Sequence, residues 1–380
     1  MVGVMNKILI SDEIVDCLCL GTSILMSLEA LHQVSLGKTV LMVDKDTTFG
    51  GAWKTIVIDE VTDIENAIHY FLPDKKGIHF LKEVLKLPIE TSKGKYRFFE
   101  LSGLGYLKFP YSSAFGRFIQ KYLHSNKSPG VRASLRHLIK CINGVISEKG
   151  ERSYYLTTGA VGMLKSIQSL LDKNGVERRF KTNVTDIFFN LEKRQVLCKI
   201  NGKTIITKSL IMGHGARLPS IDSTEGVLRL EEKFHPRPAF HLLVKDNKRV
   251  NVLEAVLTDD PLIKYVHDVS RFSSLNKNNI TNKKIFVFAL NSDVTDHNEL
   301  PNKLFEKLRA MGLVGKKAKI ISSLYSEVLL PTLDDEDLLT LKEQFGELIK
   351  VLKTENFAAG VGYYAEKWRL PLLAMLRNHK

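Results

Sequence analysis

Residues 14–20 (IVDCLCL) form an almost unbroken apolar run that stops at Gly21, the pattern of a strand buried on both faces. The following stretch, TSILMSLEALHQVSLG, sets Leu25, Leu28 and Leu31 at helical spacing and closes on Gly37, so it predicts a helix. A second apolar, β-branched run at 39–43 (TVLMV) follows at once and ends at Asp44. Strand, tight turn, helix, strand and acid together predict a βαβ unit of roughly 30 residues. Residues 54–155 mix helical patterns (GIHFLKEVLKL, SSAFGRFIQKYLHS, RASLRHLIKCI) with a hairpin pattern at KGKYRFFELSGLGYLKF. An amphipathic helix is predicted at 159–171, then strands at RRFKTNVTDIFFN, QVLCKING and TIITKSLIMG. Residues 233–330 carry β-rich runs (AFHLLV, NVLEAVL, IFVFAL, KIISSLYSEVLL) that suit a largely antiparallel second sheet. The last segment predicts a helix at DEDLLTLKEQFGELIKVL, a loop at TENFAAGVGYY and a closing helix at KWRLPLLAML.

Composition narrows the class. The 380 residues are 44% hydrophobic and 26% charged, ordinary globular usage, and no window holds the roughly 18 to 20 consecutive apolar residues of a membrane span. The opening MVGVMNKILI fits neither a signal peptide nor an Arg-rich transit peptide, so a cytoplasmic protein is expected. Cys17, Cys19, Cys141 and Cys198 are few, and the C-x-C pair lies inside an apolar run; reduced, buried thiols and no metal site are expected. A net charge of +13 favours anionic partners, but the lysine pairs are scattered through turn-like segments with no basic, aromatic-studded groove. The partner expected is therefore a small molecule, with anionic character suited to the charge, and no nucleic acid. There is no P-loop, no H-E-x-x-H, no G-x-S-x-G and no C-x-x-C, so nucleotide hydrolysis, zinc catalysis and serine or thiol hydrolysis lack their parts.

A bound dinucleotide needs backbone N–H groups at a helix N-terminus and small residues that let its pyrophosphate approach. Gly21, Thr22 and Ser23 fill that turn, although only the first glycine of G-x-G-x-x-G is kept and Met26 occupies the place of the last. Asp44 stands at the end of the second strand, about 20 residues on, where an acid would accept from ribose hydroxyls. The bland alternative is an acid that caps a loop.

The stretch LGTSILMSLEALHQVSLGKTVLMVDKDTTFGGAW resembles the N-terminus of the flavin amine oxidase group, which includes protoporphyrinogen oxidase, phytoene desaturases and UDP-galactopyranose mutase. The resemblance implies an α/β fold: a Rossmann-like FAD-binding domain with an interleaved substrate domain of mixed or antiparallel sheet plus helices. It assigns the FAD-binding part to 12–70 and 156–222, a helical insert to 71–155, the substrate sheet to 223–330 and a C-terminal return to 331–380. FAD is the implied cofactor, with Asp44, Lys45, Gly50, Gly51, Ala52 and Trp53 along its phosphate and ring side. Val184 falls where the family's valine backbone meets adenine, and Gly213 where an apolar strand ends in a glycine turn. Gly360 and Val361 replace the family's C-terminal G-D motif. His69, Tyr363 and Tyr364 are the candidate catalytic positions, with Trp368 beside them. Lys140, Arg217, Lys367 and Arg369 are candidate anion contacts. The leading expectation is hydride transfer from a small-molecule substrate to flavin. Two others stay open: a non-redox flavin isomerase of the UDP-galactopyranose mutase type, and a non-catalytic binding protein. The last resembles the Rab GDP-dissociation inhibitors and escort proteins, which share the fold and an L-G-T turn.

Overall fold

The computed structural model describes residues 13–66, 70–71, 78–91, 94–100, 105–119, 154–213, 221–228, 233–258, 260–291, 298–332 and 335–352. They form β1 (Glu13–Leu20), α1 (Ile24–Ser35), β2 (Val40–Val43), β3 (Thr55–Ile58), β4 (Val61–Glu65), β5 (Tyr70–Phe71), β6 (Ile89–Thr91), β7 (Lys95–Glu100), β8 (Tyr106–Pro110) and β9 (Tyr154–Leu156). Next come α2 (Gly159–Lys173), β10 (Glu177–Arg179), β11 (Val184–Asn190), β12 (Gln195–Ile200), β13 (Lys203–Gly213), β14 (Ile221–Ser223), β15 (Gly226–Leu228) and β16 (Lys233–Lys245). The described chain ends with β17 (Glu254–Thr258), β18 (Ile263–Asp268), β19 (Lys283–Leu290), α3 (Leu300–Ala310), β20 (Lys319–Thr332), α4 (Asp335–Phe345) and β21 (Ile349–Leu352).

The unbroken apolar character of β1 is explained by its place at the middle of the first sheet, where it is covered on both faces. Cys17 and Cys19 turn toward α1 and α2, joining Leu28, Leu31, Met163 and Ile167 in one core. Leu18 and Leu20 turn the other way, into a second core with Leu341 and Phe345 of α4. At roughly 1.5–3 kcal/mol per fully buried aliphatic side chain, these two layers dominate the stability of this half. The strand order is β10-β2-β1-β13-β12-β11-β14-β15. Its β10, β2, β1 and β13 run parallel, and β21 joins the far half of β13, also parallel. Strands β11, β12 and β13 form an antiparallel meander.

The second sheet runs β20-β16-β19-β18-β17-β7-β8 and is antiparallel except where β17 meets β7. Its outer face packs Phe98, Phe240, Phe286 and Phe288 against Leu304 and Leu308 of α3. Its inner face presses Leu243, Ile285 and Val287 onto the β3–β4 hairpin through Ile58, Val61 and Ile64. The hairpin leaves the first sheet immediately after the Gly50–Gly51 doublet, so this apolar layer joins the two sheets beside that doublet. None of the described helices is long and apolar enough to cross a membrane.

The structure departs from the sequence pattern at four places. DEDLLTLKEQFGELIKVL is not one helix: Gly346 takes a φ of +52°, α4 stops, and IKVL becomes β21. Only glycine enters that left-handed region cheaply, which makes it a common helix terminus. RRFKTNVTDIFFN splits into β10 and β11 around Lys181, whose φ is +52°. In GIHFLKEVLKL, residues Phe80–Val84 wind as a π-type turn. A helix that the β-rich reading of 233–330 passed over, α3, covers the second sheet. The hairpin expected at KGKYRFFELSGLGYLKF forms as β7 and β8, with Arg97 paired to Phe109.

Candidate functional site

The turn after β1 is tied together by one carboxylate. Asp44, at the end of β2, accepts on Oδ2 from the Thr22 backbone N–H at 2.9 Å and from the Thr22 hydroxyl at 2.5 Å. Its Oδ1 accepts from Asp46 N–H at 3.0 Å. Its own backbone joins β10 and the next connection: Asp44 N–H donates to Arg179 O, and Thr182 N–H donates to Asp44 O, both at 2.9 Å. Thr22 is fully buried, so its hydroxyl requires these partners.

Gly21 has a φ of +98° and donates its N–H to Val43 O at 2.7 Å. A Cβ built on it would meet nothing within 4 Å, so the space above the turn is open. Ser23 caps α1, its hydroxyl accepting from Met26 N–H at 3.3 Å. Ile24 and Leu25, the first two helical residues, have no preceding turn of helix to receive their N–H groups, so the positive end of the α1 dipole lies at this opening. Met26, in place of the third glycine, is accommodated by turning into the core shared with α2.

Gly50 and Gly51 close the other side. Gly50 forms a parallel bridge with Ser23, and its N–H donates to the Thr22 hydroxyl at 3.4 Å. A Cβ on Gly50 would lie 2.8 Å from Leu164 Cδ2, and one on Gly51 3.2 Å from Ser23 Cβ. Both have positive φ, +122° and +58°. The doublet therefore threads a gap between the β1–α1 turn and α2 in which even a Cβ would force its neighbours to shift.

The structure thus gathers Gly21, Thr22, Ser23, Asp44, Gly50 and Gly51 at the carboxyl ends of β1 and β2. Gly213 ends β13 one step beyond the Leu20–Met212 pair, which places it beside Gly21. Val184 opens β11 two residues after Thr182, the donor to Asp44. Trp53 is half-buried against the first core, while Lys45 and Ala52 are exposed. His69, Gly360, Val361, Tyr363 and Tyr364 lie outside the described residues, as do Lys140, Arg217, Lys367, Trp368 and Arg369. The described cysteines, Cys17, Cys19 and Cys198, are buried and free, and burial pushes the Cys17 thiol up to about 11. No group of metal-binding side chains occurs among the described residues.

Sequence reasoning missed a second acid. Glu65, at the end of β4, is buried and accepts on Oε1 from Ala160 N–H at 2.5 Å, capping α2. Gly159 has a φ of +64°, and a Cβ there would lie 2.2 Å from that carboxylate oxygen. The only signal in the sequence was Gly159 at the foot of an amphipathic helix. Lys350 on β21 is likewise paired with the fully buried Glu29 of α1 at 2.6 Å, a contact across 321 residues that no local pattern announces.

β1 has β2, the next strand in sequence, on one side and the much later β13 on the other. A crevice at such a switch point is where open α/β sheets place their ligands. The residues present fit the ADP portion of a dinucleotide: open space over Gly21, helix N–H groups facing it, a glycine doublet alongside, and an acid with acceptor capacity left on Oδ1.

No protein-family model and no curated protein matches this chain. Solved structures match it over almost its whole length. An oxidoreductase from Methanosarcina mazei superposes with a TM-score of 0.59 at 12% identity, covering 95% of this chain and 100% of its own. Wild-type putrescine oxidase bound to putrescine gives 0.60 at 12%, covering 97% and 99%. A Rab GDI from Plasmodium falciparum gives 0.54 at 13%, covering 96% and 98%. At these identities the likeness shows the fold alone: the chain has the mixed α/β fold that these structures share.

Proposed function

We propose that the chain is an FAD-dependent oxidoreductase that takes a hydride from a small-molecule substrate. The observation carrying this reading is the glycine-walled crevice at the carboxyl ends of β1 and β2, with Asp44 on one side and the start of α1 on the other. In it, the Ile24 and Leu25 N–H groups would receive the pyrophosphate, favoured by the helix dipole. Asp44 would accept from ribose, and the Gly50–Gly51 backbone would run along the phosphate side. Val184 and Gly213 would lie at the rim. Bound there, FAD would supply the electron sink that accepts the substrate's hydride. The protein's own part is to hold the substrate bond over that acceptor and exclude water. The basic balance of the chain favours a substrate with anionic character.

The test is direct. The purified protein should absorb between roughly 350 and 500 nm, bleach with reductant and recover in air. Folded Asp44→Ala protein should have lost most of its flavin; unchanged flavin content in that folded variant would count against the assignment.

One observation favours a second reading, a non-catalytic binding protein like the Rab GDI that shares the fold. Thr22 already gives Asp44 Oδ2 two hydrogen bonds, so the turn is internally satisfied without any ribose. A colourless protein that takes up no added FAD would move the assignment there.

A further inference from the structure

His241 lies in the middle of β16, on the inner face of the second sheet. Strand residues two apart point the same way, and its neighbours at that spacing, Ala239 and Leu243, both pack into the layer shared with β3 and β4. The His241 side chain is 0% exposed. Its two ring nitrogens differ. Nδ1 is 3.3 Å from Leu324 O, and a carbonyl only accepts, so Nδ1 carries the proton and Nε2 presents a bare lone pair. Among the described residues nothing meets that lone pair. Burial also drives the imidazole pKa down to about 4, so the ring stays neutral at physiological pH.

A second buried polar atom without a partner lies close by. Ser326 on β20 is paired with Ala239, and His241 with Leu324, so Ser326 is the diagonal neighbour of His241 on the same face. Ala239 is flanked on its other side by Ala289 of β19, and Ala289 by Tyr265 of β18. Two alanines side by side make a low shelf in the sheet face, bordered by an acceptor, a hydroxyl and a tyrosine ring. Protein interiors leave few buried polar atoms unmatched, because each unmet group keeps its desolvation cost. Glu254, three strands from His241 on this face, does not supply the match, being engaged with Lys95 at 3.1 Å and His267 at 3.8 Å.

We propose that this shelf binds the hydroxyl group of an otherwise apolar, uncharged ligand, the hydroxyl donating to His241 Nε2 and accepting from Ser326 Oγ. The surrounding Leu243, Val287 and Phe272 disfavour a charged group, and a hydroxyl is the smallest group that donates and accepts at once. The site faces the hairpin that follows the glycine doublet, and it does not depend on whether the first sheet holds FAD.

The experiment uses the full chain labelled with ¹⁵N-histidine and two probes of similar size, phenol and its methyl ether anisole. Phenol should move the His241 Nε2 resonance toward the hydrogen-bonded side and bind about tenfold tighter than anisole, the difference expected of one hydrogen bond to a buried acceptor. His241→Phe should abolish that preference, and Ser326→Ala, which keeps the histidine, should weaken phenol binding while leaving anisole unchanged; the second variant decides should the first not fold. Equal binding of the two probes, binding of neither, or an Nε2 signal already hydrogen-bonded in the ligand-free protein would overturn the proposal.

Discussion

A glycine in this molecule matters where two segments pass closer than a Cβ allows. Gly50 combines a φ of +122° with a would-be Cβ only 2.8 Å from the Leu164 side chain. Leucine ends can shift, so Gly50→Ala should fold, at a cost of about 1–3 kcal/mol from backbone strain and overpacking. The accompanying displacement of the doublet from Ser23 should weaken FAD uptake more than it weakens the fold. Urea midpoints read against a flavin titration separate the two effects, and equal losses would mean that the doublet serves packing alone. Gly346 is the contrasting case, with positive φ but nothing within 4 Å of its would-be Cβ, so its role is to end a helix rather than to admit a neighbour.

Among the elements, α1 is the one whose start has both a structural and a chemical task. Ser23 caps it through the 3.3 Å bond to Met26 N–H, so Ser23→Ala should cost about 1 kcal/mol in chemical denaturation. Ser23→Asp should recover that stability but repel an anion at the same helix end, so FAD affinity should fall although stability returns; a parallel recovery of both would dissociate the cap from the pyrophosphate site. The βαβ unit was legible because its signals are local: an apolar run, a 3.6-residue period, a glycine at each break and an acid at the end. The same local signals pointed to Thr22, Ser23 and Asp44, the family resemblance added the glycine doublet, and Thr22 hydrogen-bonds with both Asp44 and Gly50. The break at Gly346 was not legible, because GELIKVL continues a helical apolar pattern and only pairing with β13 turns its end into a strand. Glu65 and the Glu29–Lys350 pair were hidden for a related reason: each depends on a partner far away in sequence. His241 inside AFHLLV reads as one more strand residue until its two nitrogens are distinguished.

At the scale of the whole molecule, His241 couples stability to pH. A histidine titrates near 6.5 in the unfolded chain, and burial lowers it to about 4 in the native protein. Between those values the unfolded chain binds a proton that the folded one refuses. The contribution is therefore fully present above pH 6.5 and is lost as pH falls toward 4, by about 3 kcal/mol. Denaturant titrations at pH 7.5 and 4.5 should show this loss in the parent chain and a smaller one in His241→Gln. An identical pH dependence in the two would assign the acid sensitivity to other groups. A ligand hydroxyl on Nε2 would stabilise the neutral ring further and steepen the same dependence.

The way β1 is flanked also sets a timetable for biosynthesis. Its parallel partner β13 is far downstream; Asp16 and Lys208, which bridge the two strands, are 192 residues apart. At translation rates of about 5–20 residues per second, the β1–β2 unit emerges roughly 10–40 s before that partner exists. Through this interval the nascent chain carries an apolar strand with one unpaired edge, the kind of segment that recruits chaperones or pairs with a neighbouring copy. Synthesis speed across the intervening residues would thus influence yield.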